Sequence, residues 1–145
     1  MFGLNIKHVV SFLSLSLFIF LAIGSGNDNE GVEEDISGKA AEVTTTAAEM
    51  YRDYDANEVS ADEKYKGKVI EISGVVGEIR KNTWDEEEII VELEVWACSS
   101  VDCKFSAKHK AEAAALEKGD KVKIKGLGAG KEVLGPALEG CSIVK

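Results

Sequence analysis

The stretch YKGKVIEISGVVGEI, residues 65–79, has the β-branched composition of a strand but carries Gly74 and Gly77 near its middle. Glycine weakens a strand because it has no side chain to pack. The apolar residues stand at even positions up to Ile72 and at odd positions from Val75 onward, so the alternation changes phase across Gly74. A one-residue phase change at a glycine is typical of a β-bulge, which bends the strand. A bent strand of this kind predicts a small barrel in which it serves two sides.

The other predicted strands follow in an order that narrows the fold class. The second strand alternates, with Ile89, Val91, Leu93 and Val95 facing the core and Ile90, Glu92, Glu94 and Trp96 facing outward. Further strands are predicted at 100–105, 120–128 and 136–145, and a helix at 106–119 begins at Ser106 as N-cap and stops at Gly119. The sequence therefore predicts a mainly β protein, a five-stranded OB-fold barrel at residues 65–145 with a helix between strands three and four.

A helical extension is predicted to precede the barrel, at residues 37–64. Its apolar residues recur every three or four positions, which is typical of an amphipathic helix, and Ser37 is its predicted N-cap. Residues 25–36 are acidic, contain glycine and have little to bury, so they predict a linker.

The first 24 residues have the pattern of an export signal. Lys7 and His8 precede an apolar run at 9–23, and Ala22 and Gly24 suit cleavage after Gly24. An uncleaved signal-anchor, spanning the membrane with residues 4–23, is the alternative interpretation. Either one predicts an exported, periplasmic or otherwise extracytoplasmic protein, and membrane contact is predicted only through this segment, if it is uncleaved.

Several of these segments resemble a known family. ANEVSADEKYKGKVIEISGVV, SVDCKF, LEKGDKVKIKGLGAG and LEGCSIVK, within residues 56–145, resemble the tRNA-anti-like family of exported OB-fold proteins. Many members look like lipoproteins, and this chain departs from that pattern because no acceptor cysteine follows its apolar run. The resemblance implies the fold far better than it implies an activity.

Three cysteines in an exported chain allow one disulfide. Strands three and five of an OB barrel run side by side, and Cys103 and Cys141 lie near the ends of those strands. The sequence therefore predicts a Cys103–Cys141 bridge, with Cys98 as the competing partner of Cys103.

The sequence offers little for catalysis. His109 is the only histidine after the export segment, and no nucleophile or metal ligand accompanies it at a useful spacing. The acidic run at 85–88 is interpreted as a charged hairpin loop, with a hard-cation site as the alternative. The chain is therefore predicted to be no enzyme, with no catalytic residues, no metal and no cofactor.

Ligand binding is predicted on the face that OB-folds commonly use, which is strands two and three with the adjoining loops. The candidate residues are Trp84, Ile90, Trp96 and Lys131, although Trp96 could simply cover the barrel edge. Glutamates on this face and a net charge of −9 disfavour nucleic acid. We therefore expect a binding module for an unknown envelope protein or an uncharged small molecule. A nucleic-acid-binding OB protein, using Lys121, Lys123 and Lys125, is the alternative.

Overall fold

A closed barrel of five strands forms the body of the protein in the computed structural model, which describes residues 34–145. The strands are β1 (Val43–Thr46), β2 (Val69–Lys81), β3 (Ile89–Trp96), β4 (Ser99–Phe105), β5 (Lys121–Lys131) and β6 (Pro136–Ile143). The helices are α1 (Ala47–Ala56), α2 (Glu58–Tyr65) and α3 (Lys110–Ala114), the last entered through a 3₁₀ turn (Ala107–His109).

The strand order is β1-β2-β3-β4-β6-β5, and β5 pairs back onto β2 to close the barrel. All pairings within the barrel are antiparallel except that of β4 with β6, and β1 is an extra strand, parallel to β2. This topology confirms the predicted mainly β, five-stranded barrel and is consistent with an OB-fold.

The long strand β2 bends because its two halves pair with different neighbours. Residues 69–75 pair with β5, and residues 75–81 pair with β3. The register shift lies between Val76 and Glu78, so the bulge is at Gly77, and the prediction of a phase change at Gly74 was wrong. Gly74 instead lies against the core, where an added Cβ would stand 3.1 Å from Leu93 Cδ1 and 3.3 Å from Ala47 Cβ. Glycine is needed there because two packed side chains approach the backbone.

The segment before the barrel differs from the prediction of a helix that starts at Ser37. Residues 43–46 are extended because Val43 and the three threonines are β-branched and pair with residues 70–73 of β2. Helix α1 begins after this strand, and the Thr46 side chain caps it by accepting a hydrogen bond of 3.1 Å from the Glu49 amide. The Asn57 side chain caps α2 in the same way, by accepting a hydrogen bond from the Ser60 amide.

A polar network under the two helices joins them to β1. The buried Tyr65 hydroxyl donates to Asp53 Oδ2 at 2.7 Å and lies 3.4 Å from Thr45 Oγ1. Lys64 forms an ion pair of 2.8 Å with the same Asp53 oxygen, and this hydrogen bond lowers the pKa of Asp53. The Tyr54 ring stacks on Tyr65 with centroids 5.9 Å apart. The α1–α2 pair is therefore held by directional contacts as well as by burial.

The end of the predicted acidic linker packs on the domain. Ile36 is buried, and the Asp35 carboxylate pairs with Lys108 and lies 3.3 Å from His109 Nε2. His109 Nδ1 lies 3.3 Å from Glu112, so the ring stands between two carboxylates rather than in solvent. Residues 25–33 of the predicted linker and the export segment lie outside the described residues.

The predicted helix at 106–119 is shorter than expected. It ends at Ala114, and Ser106 makes no side-chain capping hydrogen bond. Gly119 stands in a left-handed turn with φ of 94°, just before β5. Across the described residues, no helix has the length and hydrophobicity needed to span a membrane.

The predicted Cys103–Cys141 disulfide is not supported. No bridge joins any pair of the three cysteines; Cys98 is exposed, whereas Cys103 and Cys141 are buried. Cys103 is paired in register with Leu138, three residues before Cys141.

Candidate ligand-binding site

The outer face of β2, β3 and β4 is built by the bulge at Gly77. Alternation from the buried Val76 would turn Glu78 inward, and the extra residue turns Glu78 and Arg80 outward instead. Glu78 then lies directly opposite Glu92 on β3, and Glu92 lies opposite Asp102 on β4. Three carboxylates therefore cross the sheet in one row.

Arg80 neutralises part of this row. Its Nε donates to Glu92 Oε1 at 3.0 Å and its Nη2 donates to Asp102 Oδ2 at 3.0 Å. The second oxygen of Asp102 is buried and has no hydrogen-bond partner among the described residues. Burial raises the pKa of Asp102 even though Arg80 opposes that effect. The Arg80 guanidinium is therefore already paired with two carboxylates.

A cleft of about 440 Å³ opens on the same face, at the end where β3 turns into β4. Its lining residues are Gly77, Glu78, Glu92, Glu94, Trp96, Cys98, Ser99, Ser100, Lys118 and Leu134. Trp96 is 67% exposed and Leu134, in the loop between β5 and β6, is 64% exposed. Val133 beside Leu134 is almost fully exposed. The cleft therefore combines an apolar wall with an acidic floor.

The charge of the cleft is not balanced within the described chain. Its lining has three carboxylates and one ammonium group, that of Lys118. Among residues 34–145, neither Glu78 nor Glu94 has an ion-pair partner. Like charges placed opposite each other on paired strands are destabilising, so Glu78 and Glu92 repel each other, and Arg80 offsets part of that repulsion by pairing with Glu92.

The structure does not bring the four predicted ligand-binding residues together. Trp96 lines the cleft, but Trp84 stands in the loop 82–88, 94% exposed and outside the cleft. Lys131 forms an ion pair of 3.9 Å with Glu58 on α2 and also lies outside the cleft. Ile90 was predicted to project outward, yet it is 4% exposed because the long side chains of Arg80 and Lys104 flank it on the neighbouring strands.

Sequence reasoning missed Glu78, Arg80 and Leu134. The misplaced bulge did not cause the omission of Glu78 and Arg80, because the predicted phase from Val75 onward also turns both side chains outward; the site residues predicted from the sequence lay in β3 and in the predicted loops alone. The spacing of Ile79 between two charged residues was the available signal, since alternation around it already turns its neighbours outward. Leu134 lies in a loop, where no periodicity applies.

A second groove, of about 660 Å³, lies where β1 meets α1 and β5. Lys121 and Lys123 line it together with Glu94 and the Ala47–Ala48 start of α1. Lys123 also lies 3.4 Å from Glu71, and Lys125 donates to the backbone oxygens of residues 37 and 39. The lysine row is therefore partly occupied by contacts within the domain.

Within residues 34–145, no group of three or more histidine, cysteine, aspartate or glutamate side chains is arranged to hold a metal ion. The acidic loop at 82–88 is a turn in which the Asp85 side chain accepts from the Glu87 amide at 3.0 Å and Glu87 pairs with Lys110 on α3.

Two of the solved structures that the chain resembles differ in sequence identity and in the share of their own length that is matched. A Klebsiella pneumoniae protein described as a "putative nucleic acid-binding lipoprotein" is 23% identical, with a TM-score of 0.59 over 70% of this chain and 91% of that one. A "putative aspartyl-tRNA synthetase" from Leishmania major Friedlin is 13% identical, with a TM-score of 0.48 over 74% of this chain and 21% of that one. The first likeness supports the fold alone, and the second carries no argument.

None of the curated proteins compared with the chain matches it. The model of one family, tRNA_anti-like, matches residues 4–142, which is nearly the whole sequence. With its strand order and its bent first barrel strand, the chain belongs to the tRNA_anti-like family.

Proposed function

We propose that this protein is a non-enzymatic binding module of the cell envelope, which holds a protein or an uncharged small molecule against the outer face of β2, β3 and β4. The observation that carries the proposal is the cleft beside Trp96, because an exposed tryptophan and an exposed leucine share its lining. Ligand sites combine such apolar walls with a few convergent polar groups. OB-folds commonly bind on this face.

An extracytoplasmic location is part of the same proposal. The apolar run at 9–23 has the composition of an export signal. The Klebsiella pneumoniae protein that the chain resembles is described as a lipoprotein, which agrees with such a location.

Binding of nucleic acid is the second candidate, and the description of that relative favours it. The charge of the face opposes it, because a phosphate chain laid across the cleft would meet Glu78, Glu92 and Glu94. Proteins that bind single strands combine stacking aromatics with a positive groove. Here the aromatic side chain is present and the positive groove is not.

Fluorescence anisotropy with labelled single-stranded DNA and RNA, at about 150 mM salt, separates the two candidates. We expect no sub-micromolar binding. Sub-micromolar binding that weakens in the triple variant Lys121→Glu, Lys123→Glu, Lys125→Glu would overturn the proposal and establish the nucleic-acid alternative.

A further inference from the structure

We propose that the cleft beside Trp96 binds a cationic segment of a polypeptide, in which lysine or arginine side chains alternate with apolar ones. This inference rests on the proposed function and names the class of its ligand. It depends on three features of one sheet face: unpaired carboxylates, an exposed aromatic ring and an exposed aliphatic wall.

The carboxylates supply the charge complementarity. Glu78 and Glu94 have no ion-pair partner within residues 34–145, and Arg80 is already held by Glu92 and Asp102. The Gly77 bulge places Glu78 opposite Glu92, and Glu94 follows two residues later on the same face of β3. A positively charged side chain in the cleft would therefore meet two carboxylates that form no ion pair within the described residues. Charge-assisted hydrogen bonds to such groups are the stronger ones.

The apolar wall decides between a polypeptide and a simple cation. Trp96 and Leu134 line the cleft while about two thirds of each residue is exposed, and the neighbouring Val133 is almost fully exposed. A metal ion or a small polyamine would leave this surface uncovered. Tryptophan also attracts ammonium and guanidinium groups through its ring face. A peptide that alternates cationic and apolar side chains would contact both the carboxylates of the cleft and its exposed apolar residues.

Charge along the rest of the face favours the same ligand. The loop 82–88, which leads into β3, adds Asp85, Glu86, Glu87 and Glu88, of which Glu87 alone forms an ion pair among the described residues. Exposed like charges of this density steer an oppositely charged partner during encounter. An anionic segment would be repelled by the same groups, and Lys118 is the single cation in the cleft lining.

The test uses NMR spectra of the full chain labelled with ¹⁵N, titrated to about 1 mM with the acetylated, amidated peptide Arg-Leu-Arg-Leu-Arg. We expect shifts of the Trp96 indole and of the β3 amides, with weaker shifts for the neutral peptide Gln-Leu-Gln-Leu-Gln. The double variant Glu78→Gln, Glu94→Gln should weaken binding of the cationic peptide by about tenfold. The matched variant Glu63→Gln, Glu139→Gln, with the same charge change outside the cleft, should leave it unchanged.

Three results would contradict the inference, and they separate it from the proposed function. Equal binding of both peptides would remove the charge requirement but leave a protein-binding cleft in place. Cationic binding that responds to both double variants alike would show attraction to net charge rather than to this cleft. Shifts at the cleft with labelled single-stranded DNA, and none with either peptide, would contradict both the inference and the proposed function.

Discussion

At Gly128 the backbone of β5 passes against the end of α2, and no side chain fits between them. An added Cβ would stand 2.0 Å from the Tyr65 carbonyl oxygen, and backbone hydrogen bonds from Gly67 and Gly128 hold the approach. We expect Gly128→Ala to lower the free energy of unfolding by about 3 kcal/mol, measured by urea denaturation. Gly38→Ala is the control, because nothing lies within 4 Å of its added Cβ. Equal stabilities of the two variants would contradict the close approach.

Individual residues also show where sequence reasoning stopped. The alternation along β3 correctly placed Val91 and Leu93 in the core, because period two depends only on the strand. It failed at Ile90, whose burial depends on Arg80 and Lys104 of neighbouring strands. The position of the bulge could not be predicted from the sequence either. Gly74 and Gly77 have similar sequence surroundings and differ in the side chains that pack against them.

At the scale of elements, the Tyr65 hydroxyl joins α2 to α1, because it donates a hydrogen bond to Asp53. Tyr65→Phe removes the donor to Asp53 Oδ2 and leaves the ring in place. Hydrogen bonds to charged groups are worth about 1.5–3 kcal/mol, so we expect a loss of about 2 kcal/mol in the free energy of unfolding.

Tyr51→Phe is the matched control for this prediction. The Tyr51 hydroxyl forms no hydrogen bond within the described part of the chain, and its ring also packs against the core. Chemical denaturation of both variants gives the comparison. A loss for Tyr51→Phe as large as that for Tyr65→Phe would show that the Asp53 contact contributes nothing specific.

The elements before the barrel were harder to predict than the barrel itself. The strands of the barrel could be predicted from the alternation of apolar and polar residues and from the order of the strands around one helix. The spacing of Val43, Ala47 and Met50 fits a helix, but β1 forms because the edge of β2 is available to Val43–Thr46. That edge exists only once the barrel has folded, so local sequence alone could not reveal the strand.

For the molecule as a whole, the start of the described chain is joined to the 3₁₀ turn before α3 by a pH-sensitive contact. The Asp35 carboxylate accepts from Lys108, and this hydrogen bond is the main reason that the pKa of Asp35 is lowered. A lowered carboxyl pKa stabilises the fold above the ordinary value of about 4, and this contribution is lost as the pH falls through the lower folded value.

Thermal unfolding measured from about pH 7 to pH 2 tests this contact. We expect Asp35→Asn to lower the melting temperature at neutral pH, and the gap to the unmodified protein to narrow below about pH 4. Glu86→Gln is the control, since Glu86 is exposed and forms no ion pair within residues 34–145. A gap for Asp35→Asn that stays constant with pH would show that the carboxylate charge is not involved.

The central claim is that this barrel holds a polypeptide on the outer face of β2, β3 and β4. Site-specific photo-crosslinking in the cells that make the protein tests it most directly, with the photoreactive residue at Trp96 in one variant and at Lys123 in the other. Position 96 lies in the cleft and position 123 lies outside it, in the groove beside β1. The account predicts protease-sensitive adducts from position 96 and few from position 123. Nuclease-sensitive adducts, or adducts from position 123 alone, would contradict it.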